Sequence, residues 1–323
     1  MNAAVAAKAP ELRKAAFDIA NQILGALAGK GGRPWRRYLL RQSHVTKWTI
    51  SADFCIGAEL RPYDCFAFSF FPYDAEIEAL LRDASSGLQR DLKDISALTA
   101  AEIAWLRDRR RFHIAIAVNR KRPAFPVQGA SIELGRRLVA DWLAEMNSAP
   151  NSPDQSRMKA LRNKVRANYN ARLLGNVWLL SVLFGALTTA LALGRPLEVV
   201  GWFPDRDNMT NWSEGVWFDA VWRTTGFLAD AFRIDMRSLK TVSGVPAKQD
   251  GQEHMWFDSL IRGPDFLAGV IAAWDRSART VPGEKYRQLL LDVVADSKNI
   301  IVMDALLGPG TRAVSRVLVS RSP

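Results

Sequence analysis

At 323 residues the chain exceeds the usual domain of about 100–200 residues, so it holds either one enlarged domain or two. Hydrophobic residues make up 48% and charged residues 24%, which excludes a disordered or fibrous chain, and the net charge of +11 favours polyanionic partners such as nucleic acid or an anionic membrane surface. Two cysteines, Cys55 and Cys65, are too few for a disulfide framework, and His44, His113 and His254 form no metal-ligand spacing with them, which fits a reducing compartment.

The first residues become charged before an apolar run of signal-peptide length develops, so no secretory signal is expected and the cytoplasm is the expected location. Leu12, Ala16, Ile19, Ile23, Leu24 and Leu27 recur at helical spacing and predict a helix over 10–28, ended by Gly29, Gly31 and Gly32. RPWRRYLLR, residues 33–41, then predicts a basic arm. Arg36 and Arg37 suit phosphate contact and Trp35 and Tyr38 suit base stacking, or the two aromatics merely anchor a solvated arm. Residues 1–44 would form this N-terminal helix and basic arm, and 45–323 the main domain.

At Lys47 the period changes to two. Trp48, Ile50 and Ala52 alternate with polar residues up to Asp53, and CFAFSFF at 65–71 supplies a second strand, so the pair predicts an antiparallel hairpin. Asp74 is expected to cap a helix running to about Leu81. Thr99 followed by Glu102 is a capping-box pattern that starts a helix within 99–110, and FHIAIAV at 112–118 predicts a buried strand. A helix is expected over 131–146 and a linker near 147–156, where Asn, Ser and Pro concentrate.

Between Asp154 and Glu198 there is no acidic residue, while Arg157, Lys159, Arg162, Lys164, Arg166 and Arg172 crowd the first half. In a helix, Lys159, Arg162 and Arg166 share one face, suited to tracking a phosphate backbone; the alternative is a solvated cationic face leading into a core helix. Residues 176–194 carry no charge and approach membrane length, but Asn176, Ser181, Thr188 and Thr189 dilute the run, so buried core is expected and a membrane anchor is the competing reading. EVVGWF at 198–203 predicts a strand followed by a turn at Pro204, a helix through Phe232 and an edge strand at 233–239. GPDFLAGVIAAWD predicts a helix with Pro264 in its first turn, followed by a helix over 284–296 and a last strand at 300–307. Trp178, Trp202, Trp217 and Trp222 sit in apolar patterns and are expected in the core.

Two-metal phosphoryl transfer requires carboxylates from separate elements converging on cations about 4 Å apart. Asp53 at the end of the first strand, Asp205 and Asp207 after the 198–203 strand, and Asp265 at a helix opening are the candidates; Asp64, Glu59 and Glu214 are further possible ligands among which spacing does not choose. Each also has a structural reading: Asp207 as a turn residue, Asp265 as a first-turn acid, Asp53 as a strand terminator. The sequence contains no P-loop, nucleophile elbow, zinc-binding His motif or dinucleotide fingerprint.

Over residues 45–306 this order resembles the ribonuclease H-like fold, and in particular a widespread bacterial family of unknown function that usually opens with an Asp-Glu-Ser-Gly strand motif. In that family the first strand carries an aspartate, a later strand ends in an aspartate-rich turn, and a helix near the end carries another aspartate followed by small residues. The matching positions are Asp53 in TISADFC, Asp205 or Asp207 in GWFPDRD, and Asp265 in GPDFLAG, where Gly269 would let the helix approach the sheet. SADF replaces the usual motif and lacks its glutamate. The resemblance implies an α/β fold, a ribonuclease H-like mixed sheet flanked by helices with an N-terminal helical arm. It implies Mg²⁺ or Mn²⁺ held by Asp53, Asp205, Asp207 and Asp265, with Asp53, Asp207 and Asp265 catalytic in phosphodiester hydrolysis by water. Arg157, Lys159, Arg162 and Arg166, with Arg36 and Arg37, would bind the nucleic acid. The alternative is a catalytically inactive nucleic-acid-binding or assembly subunit of the same fold, for instance in defence against mobile elements.

Overall fold

Strand β1 (Lys47–Cys55) pairs antiparallel with β2 (Tyr63–Pro72) in the hairpin that the alternation predicts, with Ala52 opposite Phe68. The computed structural model describes residues 10–74, 76–146, 153–244 and 255–321. Around the hairpin lie β3 (Phe112–Asn119), β4 (Val199–Pro204), β5 (Lys240–Ser243), β6 (Ile300–Gly308) and β7 (Thr311–Val317), giving one seven-stranded sheet in the order β5-β4-β1-β2-β3-β6-β7. Only β2 and β7 run against the other strands, so the sheet is mixed and the C-terminal ends of β1, β3, β4, β5 and β6 share one edge.

The period of two decides what each face carries. On β2, Phe66, Phe68 and Phe70 point to one side and are fully buried, each contributing about 1.5–3 kcal/mol relative to exposure. That side is covered by α1 (Pro10–Ala28), α2 (Arg33–Arg41), α7 (Ala171–Ala192) and α8 (Val216–Ala231), with α5 (Ser131–Met146) and α6 (Pro153–Ala167) outside them. The other side offers small residues at its centre, Ser51, Ala67, Ser69, Ala115 and Ala117, so α9 (Asp258–Ala273) lies close over β1, β2 and β3. Gly263 makes that approach: a Cβ there would meet Trp105, Ser69 and His113 at 3.3–3.5 Å. The helices α3 (Ile77–Gly87) and α4 (Ala100–Leu106) complete this layer with α10 (Glu284–Gln288) and the π-helical turn Leu289–Val294.

Several expectations hold in detail. Thr99 and Glu102 form the capping box in both directions. Helix α7 is the buried apolar core helix, with Trp178 and Phe184 inside and 94% of its most apolar window covered. Trp202 and Trp217 are buried, and Trp222 packs at the margin of the core.

Others are corrected. RPWRRYLLR is not an arm but helix α2: Trp35, Tyr38 and Leu39 fall on one helical face and are buried, Trp35 lying edge-on to Phe70 and Phe112 at 5.1 Å, so neither ring is free for bases. Asp74 caps nothing, because α3 starts at Ile77 behind Glu76. Residues 233–239 form turns instead of a strand, with Arg233 at φ +58° and Asp235 accepting from the Arg237 N–H; the apolar Ile234, Met236 and Leu239 reach the core from these turns, and the edge strand is β5. Pro264 sits inside α9, six residues after its start, with Asp265 therefore mid-helix, and an additional strand, β7, follows β6 through a tight reversal. Gly269 faces Leu92 of the 92–94 turn and not the sheet. The predicted linker lies largely outside the described residues, as does His254.

Candidate functional site

Ser51 and Asp53 project from β1 toward α9, two residues apart on one face. Ser51 Oγ donates to the Leu260 carbonyl at 2.6 Å. That carbonyl is the one an α-helix would satisfy from residue 264, but Pro264 has no N–H to give. The Ser51 hydroxyl fills the place, so the proline is tolerated mid-helix and α9 is pinned across β1. Asp265, the next residue, is thereby held over Asp53.

Asp205 arrives by a different route. Its backbone N–H donates to the Ala52 carbonyl at 2.8 Å, which extends the parallel pairing of β4 and β1 by one residue and sets Asp205 alongside Asp53. Open α/β sheets bind ligands at the carboxyl ends of their parallel strands, and both residues are there. Asp53 is buried beside the carboxyl groups of Asp265 and Asp205. Burial first, then the negative charges of Asp265 and Asp205, hold its carboxyl well above the usual carboxylate range against the opposing Phe54 N–H. Burial also raises Asp205, against the Arg206 N–H, and Asp265, against the Leu92 N–H at 2.8 Å. Two like charges about 4 Å apart repel by roughly 4 kcal/mol at an effective dielectric constant of about 20, so ionisation of adjoining carboxylates is opposed and a bound cation would relieve it.

These aspartates line a cleft of about 630 Å³ walled by residues 89–94, the end of β4 and α9. Asp91, Asp94 and Asp258 add acidic groups, and Arg90, Lys93, Arg206 and Arg262 add cations. Arg262 is held by the Leu88 carbonyl at 2.7 Å and by Asp91 at 3.4 Å, and Lys93 also faces Asp91, at 3.5 Å. Arg90 and Arg206 have no ion-pair partner among the described residues.

Of the predicted carboxylates, then, Asp53, Asp205 and Asp265 come together and Asp207 does not. Its Oδ1 accepts the N–H groups of Met209 at 2.6 Å and Thr210 at 2.9 Å, closing the turn after β4. Asp64 lies on the opposite face of the sheet in a buried ion pair with Arg122 and Arg172, and Glu59 is exposed. The Glu214 side chain lies outside those described. Among the described residues no group of three or more His, Cys, Asp or Glu side chains is placed so that it could hold a metal ion as it stands. The donor chemistry of Asp53, Asp205 and Asp265 nevertheless suits a hard divalent cation, which takes carboxylate oxygens and would relieve their mutual repulsion.

The predicted cations divide differently. Arg157 is bound to Asp219 of α8 at 3.0 and 3.1 Å, and Arg162 is half-buried with its Nε enclosed. Lys159 and Arg166 are exposed on α6, which packs on α5, α8 and the 212–215 turn, on the far side of the sheet from α9. Arg36 closes the end of α1 through the carbonyls of Ala28 and Gly29, while Arg37 is exposed. The cations that do line the cleft fall in a charge-alternating loop, QRDLKD at 89–94, in the turn beside Asp205 and, as Arg262, on α9. That alternation was the available signal. The chain matches no family model, no curated protein and no solved structure.

Proposed function

We propose that the chain is a metal-dependent phosphodiesterase acting on nucleic acid through a ribonuclease H-like core. One observation carries this reading: Asp53 from β1, Asp205 from the end of β4 and Asp265 from α9, far apart in sequence, meet in one cleft at the carboxyl edge of the sheet. A mixed sheet flanked by helices is compatible with this reading at the level of the α/β class. The net charge of +11 favours a polyanionic substrate.

Asp53, Asp205 and Asp265 would hold Mg²⁺ or Mn²⁺, which when bound supplies an activated water and stabilises charge on the phosphate. Burial and the neighbouring acids raise the proton affinity of Asp53, so a proton competes with the cation for this carboxyl and binding would be pH-dependent. Leu92 and Phe54 orient Asp265 and Asp53 through their N–H groups, and Arg206 and Arg90 neutralise phosphate oxygens at the cleft wall. Asp207 shapes the turn that delivers Asp205.

Cleavage of labelled single- and double-stranded DNA and RNA with titrated Mg²⁺ or Mn²⁺ tests the reading. Asp205→Asn is expected to lower the rate about a thousandfold, equivalent to about 4 kcal/mol of lost stabilisation, with the melting temperature retained. Asp207→Asn, which keeps the turn acceptor, is expected to leave most of the activity. Metal-independent binding without turnover by the native chain would instead assign the cleft to a non-catalytic nucleic-acid-binding subunit.

A further inference from the structure

Trp256 is 57% exposed although its neighbours are not: Phe257 is buried, and the Trp256 ring stands edge-to-face against Phe257 at 5.3 Å and Phe203 at 5.1 Å. Phe203 lies two residues before Asp205, while Met255 and Asp258, which flank Trp256 and Phe257, line the carboxylate cleft. The indole is therefore held in orientation against the strand that delivers Asp205, on a segment whose Met255 and Asp258 line the cleft, with more than half of its surface open. A tryptophan left in water forgoes much of the burial that an aromatic of this size brings. Held by two rings, it also loses little freedom on stacking with a ligand.

On the wall of the same cleft, Arg206 follows Asp205 directly and Arg90 projects from the 89–94 loop, neither with an ion-pair partner among the described residues. Arg206 Nε is enclosed without a hydrogen-bond partner. Guanidinium groups on the cleft wall and a fixed, open indole next to two residues of its lining are elements that bind single-stranded nucleic acid, in which phosphates meet cations and unstacked bases meet aromatic faces. In a duplex the bases are already stacked, and such a ring has nothing to accept.

We propose that the cleft takes an unpaired strand, with one phosphate on Arg206 and Arg90 and a neighbouring base stacked on Trp256. The proposal rests on the reading of the cleft as a phosphodiester site, and binding measured without turnover separates the two. Fluorescence anisotropy of a labelled strand of about 12 nucleotides, in deoxy and ribo form, and of the same sequence as a blunt duplex is read in Ca²⁺ at fixed salt. Trp256→Ala is expected to weaken single-strand binding on the order of tenfold or more while duplex binding stays unchanged, and Trp256→Phe to keep most of the single-strand affinity. Arg206→Ala is expected to weaken both and to lower the salt-dependence slope by about one. Equal losses on strand and duplex in Trp256→Ala, or no loss on the strand, overturn the proposal. If Asp205→Asn cleaves normally while the Trp256 effect holds, the nuclease reading fails and the strand-binding site stands; if the native chain binds neither probe, both fail.

Discussion

Two aspartates on the central hairpin, eleven positions apart, sit in opposite electrostatic worlds. Asp64 on β2 points toward α7 and is fully buried, but it accepts from Arg122, from Arg172 at 3.2 Å and from the Gly57 N–H at 2.8 Å, while Arg122 donates onward to Asn176 at 2.9 Å. Asp53 on β1 points toward α9, is almost as buried, and has other carboxyls for neighbours. The first set is closed: the one carboxylate is met by two guanidinium groups within the fold. The second is open, because its acids are held together by β1, β4 and α9 with a positive charge still wanting. The same contrast separates the cations. Arg157 and Arg36 serve the scaffold, whereas Arg206 and Arg90 stand beside the cleft without ion-pair partners among the described residues. Regional charge density in sequence is therefore a poor guide to a site; the match or mismatch of neighbours after folding is the better one.

Breaking the closed set should cost most. Asp64→Ala leaves two guanidinium groups without their carboxylate, one of them deep in the core, and is expected to destabilise by about 3–5 kcal/mol, read from the shift in urea midpoint. Next comes the pin between β1 and α9. Ser51→Ala strands the Leu260 carbonyl and is expected to cost about 1–3 kcal/mol, but much less in a Pro264→Ala background, where the restored N–H can serve that carbonyl. Equal costs in the two backgrounds would remove the compensation argument.

The open set should behave with the opposite sign. A carboxyl whose folded pKa is raised above its unfolded value binds protons more tightly in the native state, so the stability it contributes is complete below the unfolded pKa and is lost as pH rises through the folded one. Asp53→Asn removes that ionisation and is expected to flatten the fall in melting temperature on going from acid to neutral pH, raising stability at pH 7. Mg²⁺ should raise the melting temperature of the native chain at neutral pH more than in acid, and should fail to do so in Asp53→Asn. A native chain whose stability rises between pH 4 and 7 in step with Asp53 ionisation would contradict the assignment. The smallest effect belongs to the cationic helix: Lys159→Ala and Arg166→Ala should each change stability by no more than about 0.5 kcal/mol and leave metal-dependent cleavage intact.

How legible was this beforehand? The hairpin, β3, β4 and β6, the capping box at Thr99 and the buried character of α7 follow from local periodicity and composition, because alternation and long apolar runs are properties of neighbouring residues. Asp53 was legible by its place near the end of a strand, whereas Asp265, expected to open a helix, sits inside α9. Asp205 and Asp207 were not distinguishable. The two differ by how a turn closes, and Met209 and Thr210 claim the second one.

The chain's own sequence thus determined its α/β class, its central strands and the pool of acids from which a site is drawn, since these rest on contacts between residues near in sequence. Tertiary structure alone decided which three acids meet, that Pro264 sits mid-helix where a serine of β1 serves the Leu260 carbonyl, and which arginines lack an ion-pair partner among the described residues. The reason is physical: burial and charge pairing depend on groups tens to hundreds of residues away, as Ser51 and Leu260 show, being 209 positions apart.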